Sequence, residues 1–239
     1  MKIGLIGAME EEVQALKDAM EGADVAVRAG MEFHSGMLWG LPAVVVKSGI
    51  GKVNAGICTQ ILADIYGVDA VINTGVAGSL DARIDIGDLV LSTDVLQHDM
   101  DATGFGYPVG VIPQMAESDF KADSGLIELA ETCSRRACPE IGIFRGRIVS
   151  GDQFVSDKAK KDWLVSQFGG LCTEMEGAAI GQAAYLNGIP FLIIRAISDK
   201  ADDSASVSYD EFYMAAVKNS VRLLKEIFAT ICRTGRGRE

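Results

Sequence analysis

Short apolar runs recur along this chain, spaced so that one helix fits between most neighbours. Lys2–Gly7 (KIGLIG), Ala43–Val46 (AVVV), Ala70–Thr74 (AVINT) and Pro190–Ala196 (PFLIIRA) carry few polar residues. Runs of this length without polar alternation suit strands covered on both faces. Leu89–Val95, Ile143–Ser150 and the short Leu171–Met175 read as further strands. Met9, Val13, Leu16 and Met20 form one stripe at helical spacing, so Met9–Met20 is predicted helical. Val53–Tyr66, Ser124–Arg136, Asp157–Phe168, Gly177–Asn187 and Tyr209–Cys232 are predicted helices as well. Met31–Lys47 reads as a β-hairpin turning near Gly40, and Gln97–Phe120, rich in Gly and Pro, as irregular. Strands alternating with helices predict an α/β fold built on a mixed, largely parallel sheet. No linker or repeat is visible, so residues 1–232 are expected to form one domain and 233–239 a polar, frayed tail.

Charge and cysteine usage exclude several classes. The 239 residues carry a net charge of −11, a field that repels phosphate backbones, so nucleic acid is not an expected partner. No window holds the ~20 apolar residues of a membrane span. Glu10, Glu11 and Glu12 follow the first apolar run too closely for a signal peptide. Cys58, Cys133, Cys138, Cys172 and Cys232 form no CxxC pair, and His34 and His98 lie far apart. Free thiols in a reducing cytoplasm are expected, and no zinc or other metal site.

In such sheets ligands bind beyond the carboxyl ends of the strands. Those ends carry Gly7–Glu12, Ser48–Lys52, Gly75–Ser79, Ser150–Phe154, Glu174–Glu176 and Ser198-Asp199, a set dominated by carboxylates and glycines. The first loop lacks G-x-G-x-x-G spacing, and three glutamates occupy the helix start where a pyrophosphate would sit, which argues against a dinucleotide site. Gly51-Lys52 is not a P-loop, because Val46 and Val53 stand where Gly and Ser or Thr are required.

Acidic groups at a helix start are favourable charges on the macrodipole whatever else they do. Helical geometry separates the three: with Met9 at zero, Glu11 falls at about 200°, Glu12 at about −60° and Glu10 at about 100°. Glu11 is therefore expected to face solvent, while Glu12 and Glu10 both remain candidates for the interior. Glu174 and Glu176 would share a face of a strand, with Met175 opposite. Asp199 after a buried strand suits a turn or cap as well as chemistry. Arg195 lies inside that strand, and a buried arginine demands an acidic partner.

GLIGAMEEE, KSGIGKVNA, NTGVAG, HDMDATGFGY, SGDQF, EMEGAAI, RAISDKAD and SYDEF occur in this order. The set closely resembles the bacterial 5′-methylthioadenosine/S-adenosylhomocysteine nucleosidases of the nucleoside phosphorylase/nucleosidase superfamily, from Met1 to about Ile231. The resemblance implies a three-layer α/β/α fold, a cytoplasmic homodimer, no cofactor, and hydrolysis of the bond between adenine and the thioribose. Such a reaction passes through an oxocarbenium-like transition state and needs an acid at the purine, a positioned water and fixed sugar hydroxyls.

By the same resemblance, Asp199 is the acid at purine N7, Glu12 the base on water, and Arg195 an aid to holding that water. Glu176 accepts from the ribose hydroxyls with the Met175 amide assisting, and Glu174 and Ser198 belong to the same binding set. Phe154 stacks on adenine while the Val155 backbone reads its edge. Met9, Ile50 and Tyr209 line the sugar and alkylthio pocket, and Phe105 and Pro113 reach the partner subunit's site. Val76, also in the binding set, is a departure: some members have Ser after NTG, and a valine side chain donates no hydrogen bond. Two alternatives share the fold, a futalosine-type nucleosidase and a phosphate-dependent purine nucleoside phosphorylase. Phosphate would require cationic donors, and the first loop supplies glutamates instead. A non-catalytic nucleoside-binding protein would need no base beside the sugar.

Overall fold

The structure is a computed structural model that describes residues 1–203 and 205–235, with the backbone alone at 206–211. Its central strands are β1 (Ile3–Gly7), β4 (Leu41–Lys47), β5 (Ala70–Ser79) and β10 (Phe191–Asp199). They run parallel in the order β4-β1-β5-β10, with Ile3 opposite both Ala43 and Ala70, and Phe191 opposite Val71. Every residue of β1 and β10 is buried, which is why their sequences show no polar alternation. On one side the sheet continues antiparallel through β3 (Met31–Leu38) to β2 (Met20–Arg28) at the edge. On the other, β6 (Leu89–Gln97), β8 (Ile143–Ser150) and β9 (Cys172–Glu174) follow, and β7 (Asp119–Lys121) pairs with β6.

This second half curls on itself. β10 pairs with both β5 and β6, while β9 pairs with both β8 and β5. The circuit β5-β10-β6-β8-β9 therefore closes, and the ends of β1, β5, β9 and β10 converge at one place. A bulge between Ile197 and Asp199 shifts the register there, setting Asp199 opposite Gly78.

Helices α1 (Glu10–Asp18), α2 (Lys52–Asp64), α3 (Ser124–Ala137), α4 (Lys158–Phe168), α5 (Gly177–Asn187) and α6 (Ala205–Thr234) cover both sides of the sheet. The mixed α/β/α architecture is as expected. Three local expectations need correction. Helix α1 stops at Asp18, and Met20 instead starts β2, opposite Leu38. That strand is mostly exposed and interrupted by a bulge with Gly22 at φ 62°, so it carries no hydrophobic period to read. Second, β5 runs five residues past Thr74 to Ser79, because β9 and β10 supply partners for the glycine-rich segment. Third, α6 begins at Ala205 and continues to Thr234; residues 236–239 of the expected tail lie outside the described residues.

Helix α5 packs on the sheet through small residues, Gly177, Ala178, Gly181 and Ala184, all buried. A β-carbon on Gly181 would collide with Val95 Cγ2 and the Phe191 ring. Gly181→Val should therefore lower the unfolding free energy by about 1–3 kcal/mol, measured by urea denaturation; unchanged stability would mean that α5 has room to move outward.

Candidate active site

Where the strand ends converge lies a cavity of about 300 Å³. Ala8, Met9 and Glu12 line it from the β1–α1 turn, Ile50 from the loop before α2, Val76, Ala77 and Gly78 from β5. Gln153, Phe154 and Val155 come from the loop after β8, Thr173–Glu176 from β9 and the start of α5, and Ser198 and Asp199 from the end of β10. Phe154 and Ile50 are about half exposed at its mouth.

Glu12 points inward and is buried, whereas Glu11 faces solvent. Glu10 is partly exposed and pairs with Lys17 and Lys47, which resolves the choice that helical geometry left open. One Glu12 oxygen accepts from the amides of Ala8 at 2.7 Å and Met9 at 3.1 Å, so the carboxylate folds back over its own helix start. Burial raises its pKa against the opposing pull of Arg195 and the amides of Met9, Ala8 and Val76.

Gly75 makes room for that carboxylate. A β-carbon there would stand 2.8 Å from Glu12 Oε1 and 3.2 Å from Arg195 Nη1. Gly78 does the same for the second acid, since a β-carbon would lie 2.7 Å from Asp199 Oδ1 and 2.8 Å from Ala201 Cβ. Both glycines lie in β5, so they are required for the space they leave and not for a left-handed backbone.

Arg195 lies behind this wall with 1% exposure. Its Nη2 donates to Asn73 Oδ1 at 2.5 Å and forms a very close ion pair with Glu174. Glu174 Oε1 also accepts from the Ser150 hydroxyl, and Oε2 from the amides of Glu176 at 3.0 Å and Gly177 at 2.8 Å. Burial alone would push Glu174 up, but Arg195, Ser150 and the Gly177 amide outweigh it and hold its pKa below the usual value. Four donors thus occupy Glu174 within the cavity wall. Glu176 is different. Its Oε1 accepts from the Gly51 amide at 2.8 Å, and its Oε2 lies 3.8 Å from Arg195 Nη2. Burial first, and then the neighbouring Glu174 charge, push Glu176 up to about 7.

Asp199 is buried as well, and burial is the main cause that raises its pKa. Ser198 Oγ donates to Oδ2 at 2.9 Å and the Ala201 amide to Oδ1 at 2.8 Å. Ala201 holds φ 50°, an uncommon backbone for a non-glycine residue, as it turns that amide back.

Of the expected site residues, Met9, Glu12, Ile50, Val76, Phe154, Val155, Glu174, Met175, Glu176, Ser198 and Asp199 line this one cavity. Arg195 stands behind it, and the Tyr209 side chain lies outside the described residues. Phe105 and Pro113 do not reach this cavity; Phe105 is 86% exposed on the surface. Sequence reasoning missed the cavity positions Gln153 and Thr173 and the buried Asn73 that anchors Arg195. An asparagine inside an apolar strand, in a chain whose buried arginine needs polar partners, is the available signal for the last.

Residues 2–229 match the family model described as the phosphorylase superfamily. A 5′-methylthioadenosine/S-adenosylhomocysteine nucleosidase of Bacillus cytotoxicus is 44% identical, covering 95% of this chain and all of that protein. Among solved structures, the nucleosidase of that name from Neisseria meningitidis, in complex with methylthio-immucillin-A, superimposes with a TM-score of 0.91 at 38% identity, covering 96% and 99% of the two chains. The futalosine hydrolase of Helicobacter pylori superimposes with a TM-score of 0.90 at 34% identity, covering 96% and 98%. The chain belongs to the phosphorylase superfamily and, within it, to the 5′-methylthioadenosine/S-adenosylhomocysteine nucleosidases, which are N-glycosyl hydrolases.

Proposed function

We propose that this protein hydrolyses the N-glycosidic bond of 5′-methylthioadenosine and S-adenosylhomocysteine, releasing adenine and the 5-thioribose product. The observation that carries this reading is the placement of Glu12 and Asp199 in one cavity, both buried, with only Glu12 beside a guanidinium. That asymmetry suits a division of labour. Glu12, favoured in its charged form by Arg195 and three amides, takes a proton from water. Asp199, whose pKa burial raises, gives its proton to purine N7. Negative charge then moves into adenine as the sugar becomes cationic. Glu176 accepts from the ribose hydroxyls, with the Met175 amide assisting. Phe154 stacks on the base, Val155 reads its edge, and Met9, Ile50 and Tyr209 enclose the sugar and alkylthio group. Val76 and Ser198 complete the wall, and Glu174 serves as counter-ion to Arg195. The reaction needs no cofactor.

Water suits this site better than phosphate, because Arg195, the arginine behind the cavity wall among the described residues, is already engaged by Glu174 and Asn73. Adenine should be released from both substrates in phosphate-free buffer, with no gain on adding phosphate; a phosphorylated sugar product would establish the phosphorylase reading. Likeness to a futalosine hydrolase at 34% identity supports a second reading, in which the base belongs to futalosine. Comparing kcat/KM for the three nucleosides decides between them.

Asp199→Asn and Glu12→Gln should each lower kcat by at least about 100-fold, whereas Glu11→Gln should leave it nearly unchanged. Equal losses at Glu11 and Glu12 would overturn the assignment. The pH profile of kcat/KM reports the free enzyme. It should rise as pH increases through about 7, where Glu176 loses its proton and becomes the diol acceptor. A flat profile between pH 6 and 8 would remove Glu176 from that role.

A cytoplasmic homodimer accounts for the remaining surface. Val53, Ile57 and Ile65 form an exposed apolar ridge on α2, and Phe105 and Pro113 would complete the partner's site. Sedimentation velocity should show a dimer at micromolar concentration, and Phe105→Ala should raise KM more than it lowers kcat; a fully active monomer would refute this arrangement.

A further inference from the structure

Lys52, Asp99 and Asp152, from three of the sequence motifs above, take no part in the chemistry just described, yet they close a ring beside the cavity. Lys52 Nζ pairs with Asp99 Oδ1 at 2.5 Å and also donates to Gln97 Oε1 at 3.0 Å. Asp99 Oδ2 accepts from the Asp152 amide at 2.9 Å. Asp152 Oδ1 in turn accepts from the Lys52 amide at 2.9 Å. The ring joins three segments far apart in sequence: the start of α2, the end of β6, and the 151–155 loop that carries Phe154 and Val155.

Each contact has a local reason. Helix α2 begins after Gly51, which has no side chain to cap it, so its first amides need acceptors from elsewhere. Two carboxylates supply them: Asp152 at the Lys52 amide and Glu176 at the Gly51 amide. Gly51 holds φ 98°, and a β-carbon on it would lie 3.1 Å from Asp152 Oδ1. Gly151 permits the other close approach, since a β-carbon there would strike the buried His98 ring and lie 3.1 Å from Asp99 Cγ.

We propose that the Lys52–Asp99–Asp152 ring is a positioning device that fixes two parts of the cavity together: Glu176, through the Gly51 amide, and the loop bearing Phe154 and Val155. Lys52, Asp99 and Asp152 are positioning residues, acting through groups that line the cavity. The kinetic consequence rests on the nucleosidase reading; the mechanical tie between the two loops does not.

Asp99→Asn and Lys52→Met both break the ring without enlarging a side chain. Each should raise KM about tenfold, the scale of one lost charge-assisted hydrogen bond, with a much smaller change in kcat. The acidic limb of kcat/KM should move to higher pH, because the Gly51 amide stabilises ionised Glu176. The other charged groups facing Glu176 are Glu174 on β9, Arg195 on β10 and Glu12 on α1, and neither variant alters them. The double variant should be no worse than either single variant, since the ring is broken once. Hydrogen–deuterium exchange should quicken in residues 50–53 and 151–155 together. Faster exchange in only one of the loops, additive losses in the double variant, or an unmoved KM and acidic limb would overturn the proposal. A wild-type protein that releases no adenine would refute the substrate reading, and the exchange experiment would still decide the tie.

Discussion

Burying a guanidinium is among the most expensive things a fold can do, and this one places Arg195 inside a central strand at 1% exposure. An unpaired charge there would cost several kcal/mol, and removing one member of such a pair strands the other. The arrangement around Arg195 follows from that constraint. Asn73 on β5 and Glu174 on β9 meet its Nη2, so three strands that are separate in sequence must arrive together. Glu174 is in turn committed to Ser150 on β8 and to the first amides of the α5 turn. The strand circuit that forms the cavity closes around this group of polar contacts.

The same charge sets the behaviour of its neighbours. Arg195 draws Glu174 down and opposes the rise in Glu12 and Glu176, whereas at Asp199 burial is opposed mainly by the Ala201 amide and the Ser198 hydroxyl. Three carboxyls, Glu12, Glu176 and Asp199, consequently bind protons more tightly in the folded chain than in the unfolded one. Their contribution to stability is complete below the unfolded carboxyl pKa of about 4 and is lost as pH rises through each folded value, about 7 for Glu176. The site is thus held ready at a cost in stability near neutral pH, as is common where pKa values are tuned for proton transfer.

Much of this was legible in the chain because burial writes itself into sequence. The strands β1 and β10 read as continuous apolar runs since both faces are covered, and Gly177–Asn187 read as a small-residue helix since it packs on Val95 and Phe191. The exposed face of Glu11 followed from 3.6 residues per turn. What stayed hidden depended on partners. Strand β2 exists through its pairing with β3 and has almost no buried face. The last five residues of β5 are strand because β9 and β10 reach them. The choice between Glu10 and Glu12 turned on Lys17 and Lys47, which hold Glu10 outward, and Lys47 on β4 lies outside any helical wheel of α1. Glu174 and Glu176 looked alike in sequence, yet one has four donors and the other one amide and a more distant guanidinium.

The segment Gly75-Val76-Ala77-Gly78 shows how a strand can serve chemistry by what it omits. The spaces over Gly75 and Gly78 are filled by the carboxylates of Glu12 and Asp199, so the two acids are spaced by the backbone of a single strand. Val76 sits between them. Its side chain packs at the edge of the core and lines the cavity, and its amide is one of those that favour ionised Glu12. A backbone amide is independent of residue type, so a valine can stand at this position without releasing Glu12. The side chain at that position is then free to answer to packing, while the glycines on either side answer to the acids.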